Sequence, residues 1–506
     1  MRARTVGELR ASGWQAKSVK QELRDNLVAR LQRGEPLFPG IVGYEESVVP
    51  QIENAILSGQ DIVFLGERGQ AKTRMARLLP TLLDEAVPAL AGCEINDDPF
   101  APICGACRAR LAEQGAAAEI VWIPRDRRYG EKLATPDITI ADLIGEVDPI
   151  KVAEGRYLAD ELTIHYGLLP RTNRGVFAIN ELPDLAERIQ VGLLNIMEER
   201  DVQIRGYKVR LPLDLYVVAS ANPEDYTNRG RIITPLKDRF GSQVRTHYPK
   251  RLEDEIAIME AELTRFPADG FQTVTPAYMK EIVAELTQLA RKAPEISQRS
   301  GVSVRVSICN YENLVSSALK RAIRLGEQAA APRVSDLGAV LASTSGKIEL
   351  ETVGEGGEDK VLGKLVQRAV LNVFGRCFRA GELDEVVGAF QGGLAITVSD
   401  TMACAEYVKQ VGQLQPLQAA VKKLGAADPA SAASAVEFIL EGLHLSRKLN
   451  KDVQAGRARY RGSAGSGVGA KFAAVKGIGK LGPAGYLVRA TPYYQVLYTS
   501  SSPLKG

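Results

Sequence analysis

The stretch Asp61-Ile62-Val63-Phe64-Leu65-Gly66-Glu67-Arg68-Gly69-Gln70-Ala71-Lys72-Thr73-Arg74 decides how the rest of the chain is read. Four consecutive apolar residues, Ile62 to Leu65, predict a short buried strand. Gly66 and Gly69 predict a tight turn, and Lys72-Thr73 open a helix continuing through Met75, Leu78 and Leu79. Strand, glycine turn and helix in this order are the layout of a phosphate-binding loop. The amides of Gly66, Glu67, Arg68, Gly69, Gln70 and Ala71 and the positive end of the helix converge on an anion. Lys72 would then reach the β- and γ-phosphates of a nucleotide, and the Thr73 hydroxyl would bind Mg²⁺. The pattern G-x-x-x-x-G-K-[ST] is met except at Ala71, which stands where the second glycine belongs. Alanine serves there if the position takes a right-handed backbone.

The bulk of the chain narrows the class. Its 506 residues are 45% hydrophobic and 25% charged, with a net charge of +3. That is an ordinary globular composition of roughly three domains, and the charge gives no support for a protein that coats nucleic acid. No apolar run is long enough to span a bilayer. The N-terminus lacks an apolar leader, and six cysteines are too few for a disulfide framework, so a cytoplasmic setting is expected. With only three histidines, chemistry built on histidine clusters is disfavoured.

Outward from the loop, Ser18–Arg33 carries Val19, Leu23, Leu27, Val28 and Leu31 at helical spacing before Gly34. Val42-Gly43, in a turn ahead of a helix expected over 46–57, stands where an adenine would be cupped. A second strand is expected at 119–124, a short helix and loop at 141–147, and a hairpin-like stretch at 156–167. A third strand at 176–179 ends in Asn180-Glu181, and a helix follows at 185–198. A hairpin at 202–211 precedes a fourth strand at 215–219, which runs into Asn222. Strands alternating with helices predict a parallel α/β sheet. From 252 to 325 the pattern is helical, and most segments beyond 331 read as further helices.

Hydrolysis at a phosphate loop needs more than the loop. Val176–Ile179 delivers Asn180 and Glu181 to the metal and the attacking water. Asn180 offers a carbonyl oxygen but no charge where an aspartate is usual. Glu181 would orient or deprotonate the water. Asn222 is placed to sense the γ-phosphate. Arg239, in T-P-L-K-D-R-F, is the candidate to neutralise transition-state charge from a neighbouring subunit, and Arg305 the candidate to close over the nucleotide.

Three stretches together resemble the AAA+ ATPases of the magnesium-chelatase I-subunit and MoxR branch. They are Ile41–Glu46 with the phosphate loop, Gly167–Leu182 (G-L-L-P-R-T-N-R-G-V-F-A-I-N-E-L), and V-V-A-S-A-N-P followed by P-L-K-D-R-F. Ala141–Val147 and 202–211 are similar to the branch's insert and pre-sensor hairpin. The resemblance covers roughly 36–324. It implies an α/β fold with a P-loop AAA+ parallel sheet flanked by helices over 35–250, behind an N-terminal helix in 1–34. A helical lid domain over 251–330 and a mostly helical C-terminal extension over 331–506 complete it. It also implies ATP and Mg²⁺ as cofactors, a homo-oligomeric ring, commonly a hexamer, and a partner protein typically bearing a von Willebrand factor A domain. Ala71 and Asn180 depart from the family and put turnover in question more than binding.

Three other readings stay open: a metal chelatase subunit, a nucleotide-gated scaffold with slow turnover, and a DNA-translocating motor using Arg205, Lys208 and Arg210 of the hairpin. The G-A-F-T-G-A loop of enhancer-binding transcription activators is absent. Finally, Cys93, Cys104 and Cys107, the last two as C-x-x-C, read first as reduced thiols in a loop. The alternative is a Zn²⁺ site whose fourth ligand, Asp97 or a distant histidine, the spacing does not identify.

Overall fold

The run Ile62–Leu65 is apolar at every position because the strand it forms is covered on both faces. In the computed structural model, which describes residues 2–147, 163–199, 211–222, 230–264, 266, 270–297, 301–351, 357–454 and 456–463, this strand is β1. It belongs to a sheet with β2 (Tyr129–Leu133), β3 (Gly175–Asn180), β4 (Leu215–Ala221) and β5 (Ser242–Arg245), in the order β2-β3-β4-β1-β5. All neighbouring pairs are parallel, with Val63 beside Ala219 and Gln243, and Ala178 beside Val218 and Glu131.

Alternate side chains supply two cores. Val63, Leu65, Phe177, Ile179, Val217 and Ala219 point into one. Ile62, Phe64, Val176, Ala178, Tyr216 and Val218 point into the other, against helices Val19–Gln32, Val49–Leu57 and Lys72–Leu78. The fold is therefore α/β, a parallel sheet flanked by helices, as the alternation of strands and helices predicts.

The N-terminal helix Val19–Gln32 is locked to this sheet by polar contacts. Ser18 caps it, and Asp214 Oδ2 accepts from the Val19 amide at 2.8 Å. Glu22 is buried and receives both Nη atoms of Arg128 at 2.7 and 2.6 Å, while Arg128 Nε donates to the Arg174 carbonyl at 2.7 Å. This places α-helix, chain turn and β3 entrance on one charged pair.

Several expectations need correcting. The strand at 119–124 exists as Ile120–Pro124, but it pairs antiparallel with Ala86–Leu90 in a separate two-stranded ribbon. The second strand of the parallel sheet is β2, and β5 closes the other edge. Both are edge strands buried at one position each, so neither shows an apolar run. The helix expected from 46 starts at Val49, and the loop after Ile140–Leu143 is strand Gly145–Val147, paired antiparallel with Ile164–Tyr166. The hairpin at 202–211 with Arg205, Lys208 and Arg210, most of 156–167, and the chain beyond 463 lie outside the described residues.

The chain divides into two units. The first comprises Met1–Leu263, Thr287–Cys309 and Thr344–Glu355, so residues 1–34 belong with the sheet. The residues expected as one lid domain, 251–330, are shared out between the two units. The second unit is built around helix Pro429–Leu445, which is buried at thirteen positions. Phe438 of this helix stacks on Tyr278 with ring centroids 4.4 Å apart, and Tyr278 Oη donates to Ser434 Oγ at 2.8 Å. The extension is not purely helical: Ala395–Ser399, Arg457–Gly462 and Leu449–Gln454 form an antiparallel sheet. Among the described residues, no helix is long and apolar enough to cross a membrane.

Because Arg128 is buried with Glu22 as its charged partner, Glu22→Ala strands a cation. It should lower the unfolding free energy of the first unit by roughly 3–5 kcal/mol, read by urea denaturation. A loss under about 1 kcal/mol would show that the pair is not a structural anchor.

Candidate functional site

The loop after β1 folds around its own lysine. Lys72, buried at the start of helix Lys72–Leu78, donates to the carbonyls of Gly66 and of Glu67, the second at 2.8 Å. The turn is tight because two glycines leave room. A Cβ on Gly66 would lie 2.0 Å from Thr246 Oγ1, and one on Gly69, at φ +76°, 1.9 Å from Ser303 Oγ. A β-carbon on Gly301 would likewise meet Glu67 Oε2 at 2.1 Å. Residues 301–303 thus lie directly against the phosphate loop, and Arg305 follows, exposed, in the first turn of helix Val304–Leu325.

Ala71 differs from the expectation. It sits at φ 56°, ψ 13°, the left-handed region. The position has kept the backbone that glycine favours, at a cost of roughly 1–2 kcal/mol for a residue with a Cβ. Glu181 is also left-handed, at φ 56°, ψ 48°.

β3 and β4 bring their polar ends alongside. Asn180 Oδ1 accepts from Thr73 Oγ1 and from Ser220 Oγ, both at 3.3 Å, and the Glu181 amide donates to Ser220 Oγ at 3.2 Å. Asn222, buried, follows the last residue of β4. Lys72, Thr73, Asn180, Glu181 and Asn222 therefore come from three adjacent strand ends, at the carboxyl edge of one sheet.

Sequence reasoning missed Glu131. It lies on β2, and its Oε1 accepts from Asn180 Nδ2 at 2.7 Å. Arg77 donates to both of its oxygens at 2.7 and 2.8 Å, and Tyr129 Oη to one at 3.1 Å. The Arg77 pair holds the Glu131 carboxyl below its ordinary range, against the opposing effect of burial. Because Asn180 Nδ2 is taken by a carboxylate, its Oδ1 is turned toward Thr73. Nothing in the pattern Y-G-E-K-L marks this role; only the register of β2 beside β3 does.

On the other side of the loop, Gly40, Ile41, Val42, Tyr44, Gln70, Ala71, Pro249, Ile258, Ala261 and Val304 line a largely apolar pocket. Tyr44 Oη donates to the carbonyls of Gln70 at 3.0 Å and His247 at 2.7 Å, which ties pocket and loop together. Gly43, at φ +82°, makes the turn beside Asp254. Arg239 ends helix Thr234–Arg239 and pairs with Glu198 and, at 3.4 Å, with Asp238. Among the described residues, its ion-pair partners are these acidic side chains. Cys93, Cys104 and Cys107 are absent from the pocket lining.

No family model matches the chain. It is 25% identical over 191 residues to the uncharacterized protein YeaC of Bacillus subtilis, covering 34% of this chain and 56% of that one. The chain thus spans little over half the length of this relative. Among solved structures it is similar to the BchI–BchD complex of magnesium chelatase (20% identity, 66% of this chain and 96% of that chain, TM-score 0.34). It is also similar to NtrX from Brucella abortus in complex with ATP (14% identity, 79% and 73%, TM-score 0.38). The fold rests on the strand order and register of the sheet itself and not on these likenesses.

Two outcomes are expected from the geometry. Ala71→Gly should relieve the left-handed strain, less the backbone entropy of glycine, for a net gain of about 1 kcal/mol and a Tm raised by about 2 °C in a thermal melt. An unchanged or lower Tm would mean that the position is unstrained. Asn180→Asp would set two carboxylates against each other and should lower the unfolding free energy of the first unit by about 1–2 kcal/mol in urea denaturation, whereas Asn180→Asp with Glu131→Gln should restore it. An unchanged or higher stability of the single variant would refute the coupling.

Proposed function

We propose that the chain is an AAA+ ATPase of the MoxR and magnesium-chelatase type, which couples ATP hydrolysis to movement of a partner protein. The observation that carries this reading is the convergence of Lys72 and Thr73 after β1, Asn222 after β4 and Asn180-Glu181 after β3 on one edge of a sheet ordered β2-β3-β4-β1-β5. The residues present fit a magnesium nucleotide: two glycines whose close packing leaves no room for a β-carbon, a buried ammonium, and two oxygens held together at Thr73 and Asn180.

In this reading Lys72 holds the β- and γ-phosphates, and Thr73 with the Asn180 carbonyl oxygen holds Mg²⁺ directly or through water. The ion would supply charge neutralisation at the phosphate oxygens. Glu181, lifted out of β3 by its left-handed backbone, takes the proton of the attacking water. Asn222 contacts the γ-phosphate, and the apolar pocket lined by Val42 and Tyr44, on either side of the Gly43 turn, takes the adenine. Arg239 acts on the site of the neighbouring protomer in a ring, six-membered by the resemblance, and Arg305 closes over the nucleotide. A protein bearing a von Willebrand factor A domain is the proposed partner, and the cytoplasm the proposed location.

A nucleotide-gated scaffold with slow turnover is the second reading. Two observations favour it: the strained Ala71 in the loop, and a neutral Asn180 whose amide is committed to Glu131.

Lys72→Ala should abolish ATP binding, and Glu181→Gln should retain binding while lowering kcat by about 10²–10⁴-fold, measured by phosphate release. Unaltered binding by Lys72→Ala would end the proposal; a wild-type turnover already as slow as that of Glu181→Gln would favour the scaffold. If Arg239 acts in trans, mixing Lys72→Ala with Arg239→Ala protein restores part of the activity that each lacks. No recovery would place the arginine elsewhere.

A further inference from the structure

Cys93, Asp97, Cys104 and Cys107 are apart in sequence but offer ligand atoms that all lie within 4.8 Å of one another. The three last are buried and Cys93 is half-buried. We propose that these four side chains bind a single zinc ion in a closed, structural site.

The geometry points to a mononuclear ion. Tetrahedral Zn²⁺ with sulfur at about 2.3 Å and oxygen at about 2.0–2.2 Å sets its ligand atoms about 3.5–3.8 Å apart. An iron–sulfur cluster would space its ligands more widely. Three thiolates also select a soft or borderline ion over Mg²⁺ or Ca²⁺.

Asp97 supplies the observation that thiols alone would not. It has no exposed surface, its Oδ2 accepts from the Cys104 amide at 3.0 Å, and, among the described residues, its Oδ1 is buried without a hydrogen-bond partner. A buried carboxylate oxygen left unsatisfied beside three sulfurs is costly unless a cation sits there. The alternative, a Cys104–Cys107 disulfide, would leave both that oxygen and the Cys93 thiol unexplained.

Backbone amides already face the sulfurs. The Asp97 amide donates to Cys93 Sγ at 3.3 Å, and the Cys107 amide to Cys104 Sγ at 3.4 Å. Cys104 is also the N-cap of helix Gly105–Gln114, whose positive end faces the cluster. Three thiolates and a carboxylate around Zn²⁺ carry a net charge of −2, and these dipoles offset it. All four tetrahedral positions are taken by protein, so the ion has no open position for catalysis.

What the ion would fix is the loop 93–98. That loop is bound to the turn that launches β3: Asn173 Nδ2 donates to the Ile95 carbonyl at 3.0 Å, and Asn96 Nδ2 to the Arg171 carbonyl at 3.1 Å. Arg174 Nη1 donates to the Pro88 carbonyl of the ribbon at 2.6 Å. A two-stranded ribbon has little stability of its own, and a metal clip at its end would make it a rigid brace.

The test uses the full chain, purified without chelator or immobilised metal. Elemental analysis should find about one zinc per chain, and Cys104→Ser with Cys107→Ser should lower it at least tenfold. Exchange with Co²⁺ should give the intense visible bands and thiolate charge-transfer absorption of a tetrahedral sulfur site. Asp97→Cys should keep the metal, whereas Asp97→Ala should weaken its retention against a chelator about 10–100-fold. The Co²⁺ spectrum of the unmutated protein keeps the test valid even if a cysteine variant fails to fold. The proposal is overturned if the native chain carries under about 0.1 metal and all six cysteines titrate as free thiols. Full zinc retention by the double serine variant would overturn it equally.

Discussion

Everything at the candidate site depends on the Lys72 ammonium being held inside the turn that follows β1. The carbonyls of Gly66 and Glu67 accept its hydrogen bonds, so the loop closes on a positive charge instead of on an apolar side chain. A buried cation is tolerated only where polar groups face it, and here those groups are two carbonyls of its own loop. The remaining parts are arranged around this lysine. β4 lies on one side of β1 and delivers Asn222, β3 delivers Asn180 and Glu181, and residues 301–303 lie over the glycine turn.

The departures from the usual pattern are compensated locally. Ala71 accepts a left-handed backbone where glycine would be free of strain, and Glu181 adopts the same region at the opposite wall. Such strain persists only where the surroundings over-determine it, and it concentrates at functional positions. Asn180 lacks the charge of an aspartate, but Glu131 lies 2.7 Å from its amide, held ionised by Arg77. The negative charge is not lost from the site; it has moved one strand outward.

What could be read from the residues was whatever is encoded by contiguous pattern. Ile62–Leu65, 176–179 and 215–219 are fully buried strands and appear as apolar runs, so the sheet's centre was legible together with the polar residues at its strand ends. β2 and β5 were not, since an edge strand with one covered face has no run to show. The ribbon strand Ile120–Pro124 was read as a strand, but which sheet it joins is a matter of pairing that its own composition does not hold. The same limit hid Glu131, whose role exists only through β2–β3 register; Asp97 was one of two candidates beside the three cysteines, and only folding brings its carboxylate to them. Ala71 shows the reverse case: the sequence marked the position, and only the backbone revealed what alanine endures there.

The most direct measurement of the central claim is a crystal or cryo-electron-microscopy structure of the protein with a non-hydrolysable ATP analogue and Mg²⁺. The account predicts phosphates seated against the amides of residues 66–73, Lys72 Nζ moved from the Gly66 and Glu67 carbonyls onto the β- and γ-phosphate oxygens, and the metal beside Thr73 and Asn180. A nucleotide bound elsewhere, or Lys72 still engaged by those two carbonyls with no phosphate against the loop, would contradict it.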